Sequence, residues 1–335
     1  MDALMASPAP DFKPQDYRSP PKPIVGRGGC DRLAAMKLPI VHHPDYDAKF
    51  PAGHRFPMGK YRLLMDALRL RGLAEDGALH VPEPAPHSWL GLAHKCLYVD
   101  QVLACAVPPP IERDIGFPVG DRVSLRAQLA SAGTVLAARL ALEHGIACNT
   151  AGGSHHARRS QGAGFCTFND VGVAASLLLA EGAAENILVV DLDVHQGDGT
   201  ADIFAGEPRV FTFSMHGERN YPARKIASDL DIGLSDGTGD EAYLATLRDA
   251  LPALERRSKP DLVFYNAGVD PHHADRLGRM ALTDAGLRAR DHMVIAHFRE
   301  RGIPVCGVLG GGYSNDAAAV SERHATLFEV AADFV

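Results

Sequence analysis

The residues best suited to chemistry in this chain are aspartates and histidines that fall close together. Asp193 and His195 alternate along backbone expected to be extended, so their side chains share one face. With Asp270, from a distant segment, they supply two carboxylate oxygens and one imidazole nitrogen. Three protein ligands with a further position open make a catalytic metal site. A structural zinc site would want four ligands, usually with cysteine, and the six cysteines (30, 96, 105, 148, 166 and 306) form no C-x-x-C pair. Zn²⁺ is the first choice, and because two carboxylates and one imidazole are a harder set than most zinc sites, Fe²⁺ is the alternative. His155-His156 follow Gly152-Gly153, a turn that lets backbone come close to a ligand, and suit a base with an electrostatic partner. Asp191 and Asp198 flank the ligand run; a carboxylate beside a histidine Nδ1–H fixes its tautomer and raises its basicity. Tyr313 follows Gly310-Gly311-Gly312, and its hydroxyl could stabilise an oxygen held at the metal. His42-His43 and His272-His273 are tandem too, but lack the Gly-Gly setting and read as ordinary loop histidines.

The elements around these residues predict how they meet. Short β-rich apolar runs, most of them unbroken, predict strands over 38–42, 146–150, 187–192, 210–215, 262–266 and 305–309. Apolar residues at three- and four-residue spacing predict helices over 58–71, 124–143, 169–181, 241–256, 284–301 and 317–332. Strands apolar on both faces, alternating with helices, mean a mainly parallel sheet covered on both sides. Sites in such sheets gather at the carboxyl ends of strands. Gly152–His156, Asp193–Gly199, Ala267–Asp270 and Gly310–Tyr313 each follow a predicted strand. Residues 1–37 hold six prolines and a glycine cluster and read as an irregular arm; 38–335 reads as one catalytic domain, with Pro108-Pro109-Pro110 a loop corner inside it.

The balance of 34 Lys+Arg against 41 Asp+Glu, a formal charge of −7, argues against duplex nucleic acid as a partner. With 46% apolar and 22% charged residues the chain is no disordered segment. The longest apolar stretch, Val171–Ala180, is far short of the ~20 residues a membrane helix needs. The first residues carry no secretory signal pattern, so a cytoplasmic, soluble protein is expected.

Several segments resemble the histone deacetylase family: GGSHHA (152–157), GFCTFND (164–170), VDLDVHQGDGT (190–200), AGVD (267–270) and GGGY (310–313). They stand in the family's order, and the likeness runs from about Leu38 to the C-terminus. HRFPMGKYRLL (54–64), FTFSMHG (211–217) and SDLDIGLSDGTGD (228–240) look most like the class IV branch and its bacterial relatives. The resemblance implies the arginase/deacetylase-like α/β fold, a single domain with a mainly parallel eight-stranded sheet and helices on both faces. It implies Asp193, His195 and Asp270 as ligands of one zinc per chain, and His155 and His156 as the tandem histidines, the second being the general base. Asp191 would partner His155, Asp198 would partner His156, and Tyr313 would polarise the amide carbonyl. Gly164, Phe165 and Tyr221 would line the acyl-lysine tunnel, with Leu277 at its rim and Arg55 at its foot. A potassium site would involve Asp191, Asp193, His195, Ser214 and Met215. Class I members also place an acidic residue on the rim, and none matches in 115–121; the segment 158–163 is local to this chain.

The implied activity is deacetylation or deacylation of acyl-lysine in proteins or peptides, with acetylpolyamines or other small N-acyl amines as the alternative substrates. A two-manganese ureohydrolase would need a carboxylate where Gly197 stands. A non-catalytic acyl-lysine binder would be expected to lack Tyr313 or a ligand, and all are present. Oligomeric state is not legible.

Overall fold

Short runs rich in apolar residues, too apolar to leave either face in water, form the centre of the fold. In a computed structural model, which describes residues 37–51 and 53–335, they are strands of one eight-stranded, all-parallel sheet. The strands are β1 (Ile40–Val41), β2 (Leu79–His80), β3 (Ile146–Asn149), β4 (Ile187–Asp191), β5 (Val210–Gly217), β6 (Leu230–Leu234), β7 (Leu262–Asn266) and β8 (Val305–Val308). Their order is β2-β1-β3-β8-β7-β4-β5-β6. Every residue of β3, β4, β7 and β8 is buried.

Ten helices connect them: α1 (Lys60–Leu70), α2 (His87–Ala93), α3 (Cys96–Leu103), α4 (Pro109–Ile115), α5 (Asp121–His144), α6 (Asp170–Glu181), α7 (Asp198–Phe204), α8 (Asp240–Ser258), α9 (Asp284–Arg299) and α10 (Ala317–Ala332). The 24-residue α5 packs on α6 and reaches β3 and β8, while α1 packs on α10 and α10 on α9. Side-chain caps fix where several helices begin. Asn169 accepts from Gly172 N at the start of α6, Thr283 from Gly286 N at α9, and Asp316 from Ala318 N and Ala319 N at α10. Each such cap is worth about 1 kcal/mol over alanine.

The fold expected from sequence is observed, with differences at the edges. β2 and β6, the outermost strands, lie outside the predicted runs, and so do the short helices α2, α3, α4 and α7. Pro108-Pro109-Pro110 is not a loop corner: Pro108 caps α4 and the next two prolines open it, where proline's missing N–H costs nothing. The arm read over 1–37 lies, except for Lys37, outside the described residues. No helix among the described residues is long and apolar enough to cross a membrane.

Register decides what stands beside what. Asp191, the last residue of β4, pairs with Asn266 on β7 and Ser214 on β5. Asn266 pairs in turn with Val308 on β8, and β8 pairs with β3. The carboxyl ends of β3, β8, β7 and β4 are therefore neighbours, and the four chemistry-bearing segments leave the sheet along one edge.

Candidate active site

After β4 the chain bends instead of staying extended, and this bend brings Asp193 and His195 together. Asp193 Oδ1 accepts from the His195 backbone N–H at 2.9 Å, and Asp270 Oδ1 accepts from Val194 N at 2.8 Å. The alternation expected from sequence is thus replaced by a turn held by the carboxylates themselves. His195 Nδ1 lies 3.0 Å from Asp193 Oδ1 and 3.1 Å from Asp270 Oδ2. Gly311 N donates to Asp193 Oδ2 at 2.6 Å. A Cβ at Gly311 would fall 2.1 Å from Asp270 Oδ2, so only glycine lets the 310–312 backbone come this close.

Asp193, His195 and Asp270 are the group of donors among the described residues able to hold a metal, and all three are buried. Two carboxylates facing one point out of water need a positive charge between them. Their surroundings show that need. Burial and the Asp193 charge push Asp270 up to about 7, while His195, despite burial, is raised to about 10 by hydrogen bonds to both aspartates. The donor set fits one divalent cation.

Two His–Asp pairs stand beside it. His155 Nδ1 donates to Asp191 Oδ2 at 2.7 Å, and Asn266 Nδ2 and Asp193 N both donate to Asp191 Oδ1. His156 Nδ1 donates to Asp198 Oδ1 at 2.6 Å. The rings lie 4.1 Å apart, centre to centre. Burial works against protonating either ring, but the carboxylates of Asp191 and Asp193 hold His155 up at about 9. Burial and the charge on His155 push His156 down to about 4. Similar rings are thus driven apart in proton affinity, His155 upward and His156 downward. The turn presenting them rests on Asp170, a buried carboxylate that accepts from Gly153 N and Ser154 N.

Tyr313 is buried, its ring 6.0 Å from that of His195 and 5.7 Å from Phe165. Its backbone N–H donates to Asp275 Oδ2 at 2.6 Å, and Asp275 Oδ1 accepts from Leu277 N, so one carboxylate sets both tyrosine and rim. A cavity of about 320 Å³ leads in from the surface, lined by Gly164, Phe165, Tyr221, Leu277, His156, His195 and Tyr313. Phe165 holds this wall at φ +66°, strained for an aromatic residue and fixed by its N–H to Ile115 O at 2.8 Å. Tyr221 packs edge-on against His156 at 4.8 Å. Ser214 and Met215 lie on β5, with Ser214 paired to Asp191.

Two expectations need correction. Arg55 is not at the foot of the tunnel: it is exposed and lines the outer cavity. The deeper pocket, about 20 Å³, is lined by Arg126 and Tyr61 beside His155, Asp193 and Gly311. Arg126 is buried because its Nε donates to Tyr46 O and its Nη2 to Tyr61 Oη. The rim also has an acidic residue, Asp114, one position before the segment in which none was found.

Sequence reasoning missed Arg158 as well. Its Nε and Nη2 donate to Asp198 Oδ2 at 3.0 and 2.6 Å, so Asp198 is clamped between His156 and a guanidinium. Its place two residues after His156 was the available signal. Lys60 is wholly buried, donates to Gly310 O at 3.1 Å and supports the glycine run from behind.

Comparison with known proteins agrees with this geometry. The chain is 47% identical over 298 residues to an uncharacterized protein of Picosynechococcus, covering 89% of this chain and 99% of that one. It is 30% identical over 297 residues to histone deacetylase 2 of Arabidopsis thaliana, covering 85% and 76% of the two. A probable deacetylase of Archaeoglobus fulgidus is 32% identical over 306 residues, covering 84% and 83%. Among solved structures, the HDA15 HD domain superposes with a TM-score of 0.74 at 21% identity over 89% of each chain, a likeness of fold. The histone deacetylase domain profile matches residues 54–328, and with the edge of β3, β8, β7 and β4 so furnished the chain belongs to the histone deacetylase family.

Proposed function

We propose that this deacetylase hydrolyses the amide of acyl-lysine in proteins or peptides, using His156 as general base and Tyr313 as oxyanion donor. The observation that carries the reading is the pair of His–Asp dyads with opposed proton affinities beside a buried Asp-His-Asp cluster, at the inner end of a tunnel walled by Phe165 and Tyr221. Asp193, His195 and Asp270 would hold Zn²⁺, or Fe²⁺ as the alternative, which as a Lewis acid polarises the amide carbonyl and acidifies water. Asp191, Asp193, His195, Ser214 and Met215 are kept as the residues of a potassium site.

The protein's own part follows from its hydrogen bonds. With Nδ1–H committed to Asp198, His156 offers Nε2 as the free basic atom, and it takes the proton of the attacking water. Asp198 is itself fixed by Arg158, so the ring turns little as it gains charge. The Tyr313 hydroxyl donates to the carbonyl oxygen as it becomes negative, and the cationic His155 adds a field of the same sense. His156 then gives its proton to the amine nitrogen as the C–N bond breaks. Phe165 and Phe56 beside Tyr313, with Tyr221 against His156, keep water from the developing charge.

The test is metal-stripped protein reloaded with Zn²⁺ or Fe²⁺ and assayed for acid release from lysine peptides carrying a series of acyl chains. Release with loaded protein and none with stripped protein is expected. Absence of release from every peptide by protein shown to hold one metal per chain would overturn the proposal.

A further inference from the structure

Outside the chemistry, the outer cavity has a charge pattern that the hydrolytic step does not need. Four arginines line its mouth: Arg55 from the loop before α1, Arg113 from α4, Arg219 from the loop after β5 and Arg279 from the loop before α9. They come from separate parts of the chain and all are exposed. Among the described residues, only two carboxylates answer them there. Asp114 lines the same cavity, and its Oδ2 is already used by Gln161. Asp236 lies 3.9 Å from Arg219 and 3.5 Å from Arg279 and is shared between them. Among the described residues, neither Arg55 nor Arg113 is paired with a carboxylate.

This excess runs against the composition. A chain with 41 acidic and 34 basic residues would, if charge were spread evenly, show more acid than base around any opening. Unpaired guanidiniums clustered at a tunnel mouth repel one another unless something anionic visits them. Guanidinium also binds carboxylate through two parallel hydrogen bonds, which favours acidic side chains over diffuse negative charge.

Resting on the acyl-lysine reading above, we infer that the mouth selects acyl-lysine flanked by aspartate or glutamate, and disfavours acylated polyamines. A polyamine would carry its free ammonium groups into the arginine ring just where the acyl amide reaches the bottom. An acidic peptide instead lays its carboxylates on Arg55 and Arg113 with the acyl-lysine side chain threaded between Phe165 and Tyr221.

The experiment compares kcat/KM of the metal-loaded enzyme for acetyl-lysine peptides with flanking Glu, flanking Gln and flanking Lys, and for N-acetylputrescine. Fluorescence-polarisation binding of the three peptides provides a second readout. Each exposed charge pair is worth about two- to fivefold, so the Glu peptide should exceed the Lys peptide roughly tenfold at low salt. That margin should collapse in about 0.5 M salt, where screening acts within a few ångströms. Arg55→Gln with Arg113→Gln should erase the preference mainly through KM, and Arg55→Glu with Arg113→Glu should reverse it. Equal cleavage and equal binding of Glu and Lys peptides, or preference for N-acetylputrescine, overturns this inference while leaving the hydrolase reading intact. No turnover of any substrate overturns the hydrolase reading, and binding then still decides whether the mouth sorts by charge.

Discussion

His94 should make this protein sensitive to mild acid. The ring is buried at the end of α2, and both nitrogens are committed. Nδ1–H donates to Arg158 O at 2.9 Å, and Nε2 accepts from the Asn169 backbone N–H at 3.0 Å. Protonating Nε2 would set two N–H groups face to face. Burial, aided by the charge of Arg159, accordingly pushes the group down from 6.5 to about 4. Between those values the unfolded chain binds a proton that the folded one does not, so stability is complete above about pH 6.5 and is lost as pH falls toward 4. The whole difference is about 3 kcal/mol, and roughly two thirds of it goes between pH 7 and 4.5. Glutamine can supply one donor and one acceptor and does not titrate. Urea unfolding of wild type and His94→Gln across this range gives two curves, in which the carboxylates and other histidines contribute equally. The difference between the curves should change by about 2 kcal/mol from pH 7 to 4.5, the variant gaining as pH falls. Parallel curves would refute the argument.

Two substitutions test the site more directly. Tyr313→Phe keeps the ring packed against Phe165 and His195 and removes one oxyanion donor, so kcat should fall about 10²–10³-fold with metal content and KM little changed; full activity would remove the tyrosine from the mechanism. Arg158→Gln leaves buried Asp198 without its cation and should cost about 1.5–3 kcal/mol in urea unfolding and lower kcat, with Arg158→Lys intermediate because it keeps the charge but not the fork; identical behaviour of both variants and wild type would show the clamp to be idle.

The parts that were legible in the sequence are those whose burial is written in local composition. β3, β4, β7 and β8 are apolar runs closed by at most one polar residue, and their observed ends fall within one residue of the predicted spans. β6 escaped because, as an edge strand, it is half exposed and alternates Leu230, Ile232 and Leu234 with Asp231 and Gly233. β2 is a two-residue strand, too short to carry a pattern. In the site, the aspartates and histidines stood out because they follow strands directly. The arginines did not, since a long cationic side chain reads alike in a loop, on a rim or under a core. Arg126 turns inward because its face of α5 is buried and meets the carbonyl of Tyr46 and the phenol of Tyr61. Arg55, in the loop before α1, meets no such partner and stays at the surface.

The same contrast explains why fold and chemistry are separable here. The parallel register forces the ends of β3, β8, β7 and β4 together whatever residues follow them, which makes the edge a place where a site can form. What forms there depends on backbone groups as much as on side chains. Gly153 N, Ser154 N, Val194 N and Gly311 N each donate to a carboxylate that holds a chemical group in place. Gly153 shows the limit on change: at φ +79° its Cβ would stand 2.4 Å from Gly310 N, so two strand-end loops are in contact through bare backbone. An added methyl would part the histidine turn from the tyrosine loop, and the dyads would no longer face the oxygen that Tyr313 serves. The glycines beside the histidines thus set the distance between base and oxyanion donor, and no side chain could replace them in that part.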